Sequence, residues 1–206
     1  MPHEIFALID AADVAGLEAL LARDPTAAAA RDEQGLSALM RAAYRGRGAE
    51  FDAIRAADPP LDPWDRLLVG DTVGLPAPQA WSADGFTPLH IAAFAHNSGA
   101  IGALLDAGAD PDAIATASFA RVTPLGTAAA FGANEVAVIL LDRGAGADVT
   151  ADHGFTPLHA AAANGNAELV RLLLAHGARS DAVAEDGKTP ADVAADEAIR
   201  ALLATP

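Results

Sequence analysis

Apolar residues in this chain recur at helical spacing in short bursts, and each burst is fenced by glycine or proline. The clearest case runs from Asp152 to Ala182, DHGFTPLHAAAANGNAELVRLLLAHGARSDA. Gly154 permits a turn, Thr156 offers a hydroxyl to cap a helix, and Pro157 takes the first helical position, where a missing N–H costs nothing. Leu158, Ala161 and Ala162 give that helix a narrow apolar face, and Gly165 ends it in the left-handed conformation that glycine adopts cheaply. From Glu168 to His176, Leu169, Val170, Leu172, Leu173 and Leu174 make the broad apolar stripe of a second helix, which Gly177 stops. Two short helices and a loop cannot bury both faces alone, so the pattern predicts stacked copies.

The copies are present. Thr-Pro-Leu recurs at Thr87-Pro88-Leu89, Thr123-Pro124-Leu125 and Thr156-Pro157-Leu158, with a weaker Thr189-Pro190-Ala191, at spacings of 36, 33 and 33 residues. At Thr87–His90 and Thr156–His159 the motif extends to Thr-Pro-Leu-His, followed each time by x-Ala-Ala, and Gly108-Ala109-Asp110, Gly144-Ala145 and Gly177-Ala178 close the units. Through these motifs and the period of about 33 residues, the chain resembles the ankyrin-repeat family of bacterial type. The resemblance implies an all-α solenoid of stacked helix-turn-helix units with short hairpin loops.

One elongated domain spanning 1–206 is therefore expected. Its divisions are an N-terminal capping helix pair (1–31), a repeat (32–60), a degenerate repeat or irregular insert (61–82), repeats at 83–116, 117–150 and 151–183, and a C-terminal cap (184–206). Ser37-Ala38-Leu39-Met40 replaces the full motif in the first repeat, where serine can still cap the helix. Ser37 and Thr87 stand 50 residues apart, about one and a half periods. Trp64–Leu68 and Asp71–Leu75 parallel the capping pair at Phe6–Asp10 and Asp13–Leu17. That parallel predicts one helix, followed by a second position where Pro76 and Pro78 allow at most a short turn. A kink, a protruding loop and a hinge between two sub-arrays all remain open. His96 replaces the family's glycine, Gly99 and Gly102 weaken their helix, and Ala115–Arg121 lengthens a hairpin.

Composition narrows the setting. Hydrophobic residues make up 52% but aromatics only 5%, because alanine supplies much of the apolar content, as thin, closely packed helices require. Cysteine is absent, which excludes disulfides and thiolate metal sites. The N-terminus lacks a basic stretch ahead of its apolar residues and no apolar run has membrane length, so a cytoplasmic monomer is expected. Lys188 is the only lysine, a usage associated with GC-rich bacterial genomes. The net charge of −15 disfavours nucleic acid and anionic membrane and favours a basic partner.

Catalytic chemistry does not emerge. His96, His153 and His176 lie in separate turns without the i, i+4 pairing of a metal site, and no phosphate loop or Gly-x-Ser-x-Gly elbow occurs. No catalytic, cofactor or metal residue is assigned. The resemblance gives His90 and His159 a hydrogen-bonding role between the threonine and neighbouring loops. It also places hairpin positions Leu36, Phe86, Val122, Phe155 and Lys188, with Phe119 in the lengthened loop, on a concave groove. The same groove takes the helix positions Tyr44, Arg45, Phe94, Ala95, Ala130, Phe131, Ala163 and Asn164. Five of the seven phenylalanines (86, 94, 119, 131 and 155) fall there, either as anchors for a partner or as packing between repeats. Asp84, Asp152, Glu185 and Asp186 surround them with acid. The expected function is a non-enzymatic module that binds another protein. The alternatives are an inhibitor neutralising one basic enzyme or toxin, and self-association through residues 59–80.

Overall fold

The computed structural model describes residues 2–118, 121–150 and 152–204. Helices form in the expected pairs: α1 (Pro2–Ala11) with α2 (Val14–Arg23), and α3 (Ala38–Tyr44) with α4 (Gly48–Ala56). After a solitary α5 (Pro63–Leu68) come α6 (Pro88–Phe94) with α7 (Ser98–Asp106), and α8 (Pro124–Phe131) with α9 (Asn134–Asp142). The array closes with α10 (Pro157–Ala163), α11 (Ala167–Ala175) and α12 (Glu197–Leu203). Among the described residues there is no strand; an isolated antiparallel bridge joins Arg31 and Ser37. The fold is an all-α solenoid.

Helix starts follow the sequence chemistry. Ser37 accepts from the Met40 amide at 3.0 Å and Thr123 from the Gly126 amide at 3.0 Å, while proline opens α6, α8 and α10. First helices stack on one another: α1 packs on α3, α3 on α5, α5 on α6, α6 on α8 and α8 on α10. Behind them α2 packs on α4, and α7, α9, α11 and α12 form a second row. Hairpins are joined edge to edge, since the Thr116 amide donates to the Gly85 carbonyl at 2.8 Å and the Glu185 amide to that of His153 at 2.8 Å. Glycine is needed at position 85, where φ is +89° and an added Cβ would sit 2.7 Å from the Ala117 nitrogen.

The 50-residue gap resolves into two shortened units. Asp62-Pro63-Trp64-Asp65 stands where Thr-Pro-Leu-His would, 25 residues from both Ser37 and Thr87. Asp62 caps α5 by accepting from the Trp64 and Asp65 amides, both at 2.8 Å. The unit starting at Ser37 keeps both helices, but its chain runs from Ala57 directly through Asp58-Pro59-Pro60 into α5. The unit starting at Asp62 has no second helix, since no helix occurs from Val69 to Thr87. The flanking hairpins still meet, because a Cβ at Gly35 would lie 3.9 Å from that of Ala83.

Two buried clusters result. One runs from Ile5 to Ile54, and the other begins at Met40 and continues to Leu203. At the C-terminal end Thr189 and Asp192 exchange hydrogen bonds of 2.8 and 3.3 Å, but only a turn follows, because Asp196 already caps α12. No helix among the described residues is long and apolar enough to cross a membrane.

Candidate functional site

Two histidine boxes fix the hairpins to the first helices. In α6 the Thr87 hydroxyl lies 2.7 Å from His90 Nδ1, and His90 Nε2 lies 2.8 Å from the Val122 carbonyl of the next hairpin. A carbonyl only accepts, so Nε2 carries the proton and Nδ1 accepts from threonine. Burial supports this neutral form by pulling the His90 pKa down to about 4. In α10 the Thr156 hydroxyl and His159 Nδ1 are 2.8 Å apart, and His159 Nε2 donates to the Lys188 carbonyl at 3.1 Å. Both histidines are occupied in structural bonds.

Tyr44, Phe94 and Phe131 are the last residues of α3, α6 and α8, so their rings emerge on the first-helix face. Phe94 meets Tyr44 edge-on at 5.5 Å and Phe131 at 4.7 Å, with interplanar angles of 78° and 85°. Tyr44 also reaches Phe86 at 6.2 Å, so α5 does not separate α3 from α6 on this face. These four rings, with His90, Ile91, Val122, Thr127 and Ala130, line a cavity of about 320 Å³. Phe131 is 52% exposed at its edge, whereas Phe86 is buried and packs on His90.

Of the groove positions expected from the sequence, the fold thus brings together Tyr44, Phe86, Phe94, Val122, Ala130 and Phe131. Phe155 sits elsewhere, tilted against His159 at 4.7 Å. Asn164 is exposed, and its amide donates to the carbonyls of Ala129 and Ala130 at 3.1 and 2.8 Å, which ties two units together. Arg45 turns towards Asp10, 3.4 Å away. Phe119 lies outside the described residues.

Beside the cavity, the Tyr44 hydroxyl and Asp84 Oδ2 are both buried, and neither makes a hydrogen bond of ordinary geometry. Burial pushes the Tyr44 phenol far up, and the negative charge of Asp84 adds to the effect. The Asp84 carboxylate also acts on the phenol as a hydrogen-bond acceptor, at a geometry looser than an ordinary bond, so the two buried atoms face each other. Asp84 Oδ1 accepts from the Ser82 hydroxyl, and among the described residues Asp84 forms no ion pair.

Some structural residues escaped the sequence reading. Asp65, at the histidine position of the short unit, is buried and accepts from the Ser37 hydroxyl, with Arg31 at 3.5 Å. Burial pushes its carboxyl up, opposed by the Ser37 bond. Pro63 after Asp62 was the available signal. A larger cleft of about 400 Å³, lined by Arg55, Asp58, Pro59, Leu61, Val69, Gly70 and Asp71, marks the missing second helix. It carries no aromatic ring and no unpartnered buried polar atom. Among the described residues, no group of three or more histidine, aspartate or glutamate side chains is placed to hold a metal ion.

Comparison with known families matches residues 125–205 to ankyrin repeats in three copies and residues 84–115 to a single ankyrin repeat, together more than half of the chain. No curated protein matches the chain.

Proposed function

Because the chain belongs to the ankyrin-repeat family, whose repeats are generally protein–protein interaction modules, we propose that it is a non-enzymatic module that holds a partner protein on its first-helix face. One observation carries the reading: an open aromatic cavity with Phe131 half exposed at its edge. Exposed aromatic surface around a recess is where interfaces place their anchors. A stacked array loses little conformational entropy on binding, so such anchors contribute fully. The net charge of −15 favours a basic partner. The cysteine-free, lysine-poor composition is the support for a bacterial cytoplasmic setting.

The test is affinity capture from the source lysate with wild type and a Phe94→Ala/Phe131→Ala variant, at low and high salt. A protein retained by wild type and lost from the folded variant supports the reading. Equal retention by both refutes the assignment of this face. A single basic protein released by salt would favour the narrower role of an inhibitor of one basic enzyme or toxin.

A further inference from the structure

The second row of helices is interrupted. α4 packs on α2 and α3, and α7 packs on α6 and α9, but among the described residues no helix stands behind α5. In its place is the cleft of about 400 Å³, lined by Arg55, Asp58 and Leu61 from the chain before α5 and by Val69 and Asp71 from the chain after it. Its two sides belong to different buried clusters. Leu61 packs against the cluster that runs from Ile5 to Ile54, whereas α5 contributes Leu67 to the other, and Asn97 of the next unit holds the Asp71 carbonyl at 3.0 Å. The link between the sides, Asp58-Pro59-Pro60, has two prolines with no N–H to fasten it to either.

On the first-helix face the two sides are pinned at one end and loosely joined at the other. Near the starts of α3 and α5, Arg31 meets Asp62 at 2.7 Å and the Ser37 hydroxyl donates to Asp65. At the far end of α3, Tyr44 meets Phe86 and Phe94 edge-on at 6.2 and 5.5 Å. Its buried hydroxyl faces the Asp84 carboxylate without a bond of ordinary geometry, so parting them breaks no good hydrogen bond and gives both atoms water. Between these ends Met40, unbranched and adaptable, is the residue of α3 buried in the second cluster.

We propose that the array is jointed at α5: the body of residues 2–61 and the body that begins at residue 62 rotate against each other, and as the rear cleft narrows, Tyr44 leaves Phe94 and Phe86 and the aromatic cavity opens. The inference rests on the protein-binding reading above and adds how that site is controlled. The rings of the cavity come from both bodies, Tyr44 from the first and Phe86, Phe94 and Phe131 from the second. In a stacked array each unit is held by its neighbours, so a missing second helix removes the packing that resists bending towards that side. With the cleft behind α5 and the cavity on the first-helix face, α5 acts as the fulcrum, and closure behind becomes opening in front. A partner that seats a side chain against Phe94 in the open form draws the equilibrium towards that form.

The chain has no cysteine, so nitroxides can be placed across the joint at Asp52→Cys on α4 and Ala103→Cys on α7. Ala103→Cys with Glu135→Cys on α9 is the reference pair within one body, and all three positions are exposed. Double electron–electron resonance should give the reference pair one narrow distance. The 52/103 pair should give two, the second shorter by up to about 10 Å, the diameter of the absent helix. In Val69→Trp, whose ring occupies the cleft, the shorter distance should vanish. Tyr44 is the only tyrosine, so 3-fluorotyrosine places one ¹⁹F resonance at the cavity wall, where wild type should show microsecond-to-millisecond exchange and Val69→Trp none. A 52/103 distribution as narrow as the reference, or exchange at Tyr44 untouched by Val69→Trp, would overturn the inference. Both measurements are made without a partner, so their failure leaves the protein-binding reading standing; that reading falls only on equal capture by wild type and the Phe94/Phe131 variant.

Discussion

Asn97 should be among the costliest surface-adjacent residues to lose. Its Oδ1 accepts from the Ala100 amide at 3.0 Å and caps α7, while its Nδ2 donates to the carbonyls of Leu67 at 3.2 Å and Asp71 at 3.0 Å. It therefore joins the unit lacking a second helix to the next complete one. In Asn97→Ala the lost cap costs about 1 kcal/mol, and leaving two carbonyls short of a partner adds about 1–2 kcal/mol, for a total of about 2–3 kcal/mol. Asn97→Ser keeps an oxygen for the cap but cannot reach the carbonyls, so it should lose only the second part. Urea unfolding at pH 7 followed by circular dichroism measures both. The same experiment with hydrogen exchange should show earlier opening of residues 67–75 in both variants. A loss below about 0.5 kcal/mol in Asn97→Ala, or wild-type stability in Asn97→Ser, would refute the bridging role.

Other expectations follow from single sites. An added Cβ at Gly102, on the outer side of α7, meets nothing within 4 Å, so Gly102→Ala should raise stability by about 1 kcal/mol in the same urea assay. His96 holds φ at +55°, where glycine is at ease, and His96→Gly should raise stability by up to about 1 kcal/mol. His90 stays neutral in the fold down to about pH 4, whereas an unfolded histidine takes a proton near 6.5. As pH falls through 6.5, the unfolded state gains a proton that the folded state refuses, so wild type should lose roughly 2 kcal/mol more than His90→Gln between pH 7 and 4.5.

The repeats were legible because their signals are local. Thr156 with Pro157 starts a helix, Gly165 stops it, and a 33-residue period multiplies the evidence, so α6 to α11 fall where the pattern put them. The degenerate segment was legible only in part. Pro76 and Pro78 excluded a second helix, but the comparison of Trp64–Leu68 with the N-terminal pair hid the nearer match of Asp62-Pro63-Trp64-Asp65 to the helix-start motif. Aspartate in place of both threonine and histidine keeps the capping geometry while erasing the letters.

At the candidate site, the register of the repeats placed Phe94 and Phe131 on one face. Sequence could not tell that Tyr44 would reach Phe94 past α5, since that depends on the shortened units between them. Nor could it separate Phe86, which packs on His90, from Phe131, which is half exposed, because both are phenylalanines on the same template surface. The meeting of the buried Asp84 carboxylate with the Tyr44 hydroxyl is likewise a product of three-dimensional packing.

The absence of cysteine allows a direct test of the protein-binding claim. Ala130, exposed at the cavity edge, and Ala103, exposed on α7 in the second row, can each be changed to cysteine and labelled with a benzophenone maleimide. After incubation with source lysate and irradiation, the Ala130→Cys protein should form one discrete crosslinked species that the Phe94→Ala/Phe131→Ala background abolishes, and Ala103→Cys should form none. Crosslinking from position 103 but not from 130 would contradict the account and place the partner on the opposite face.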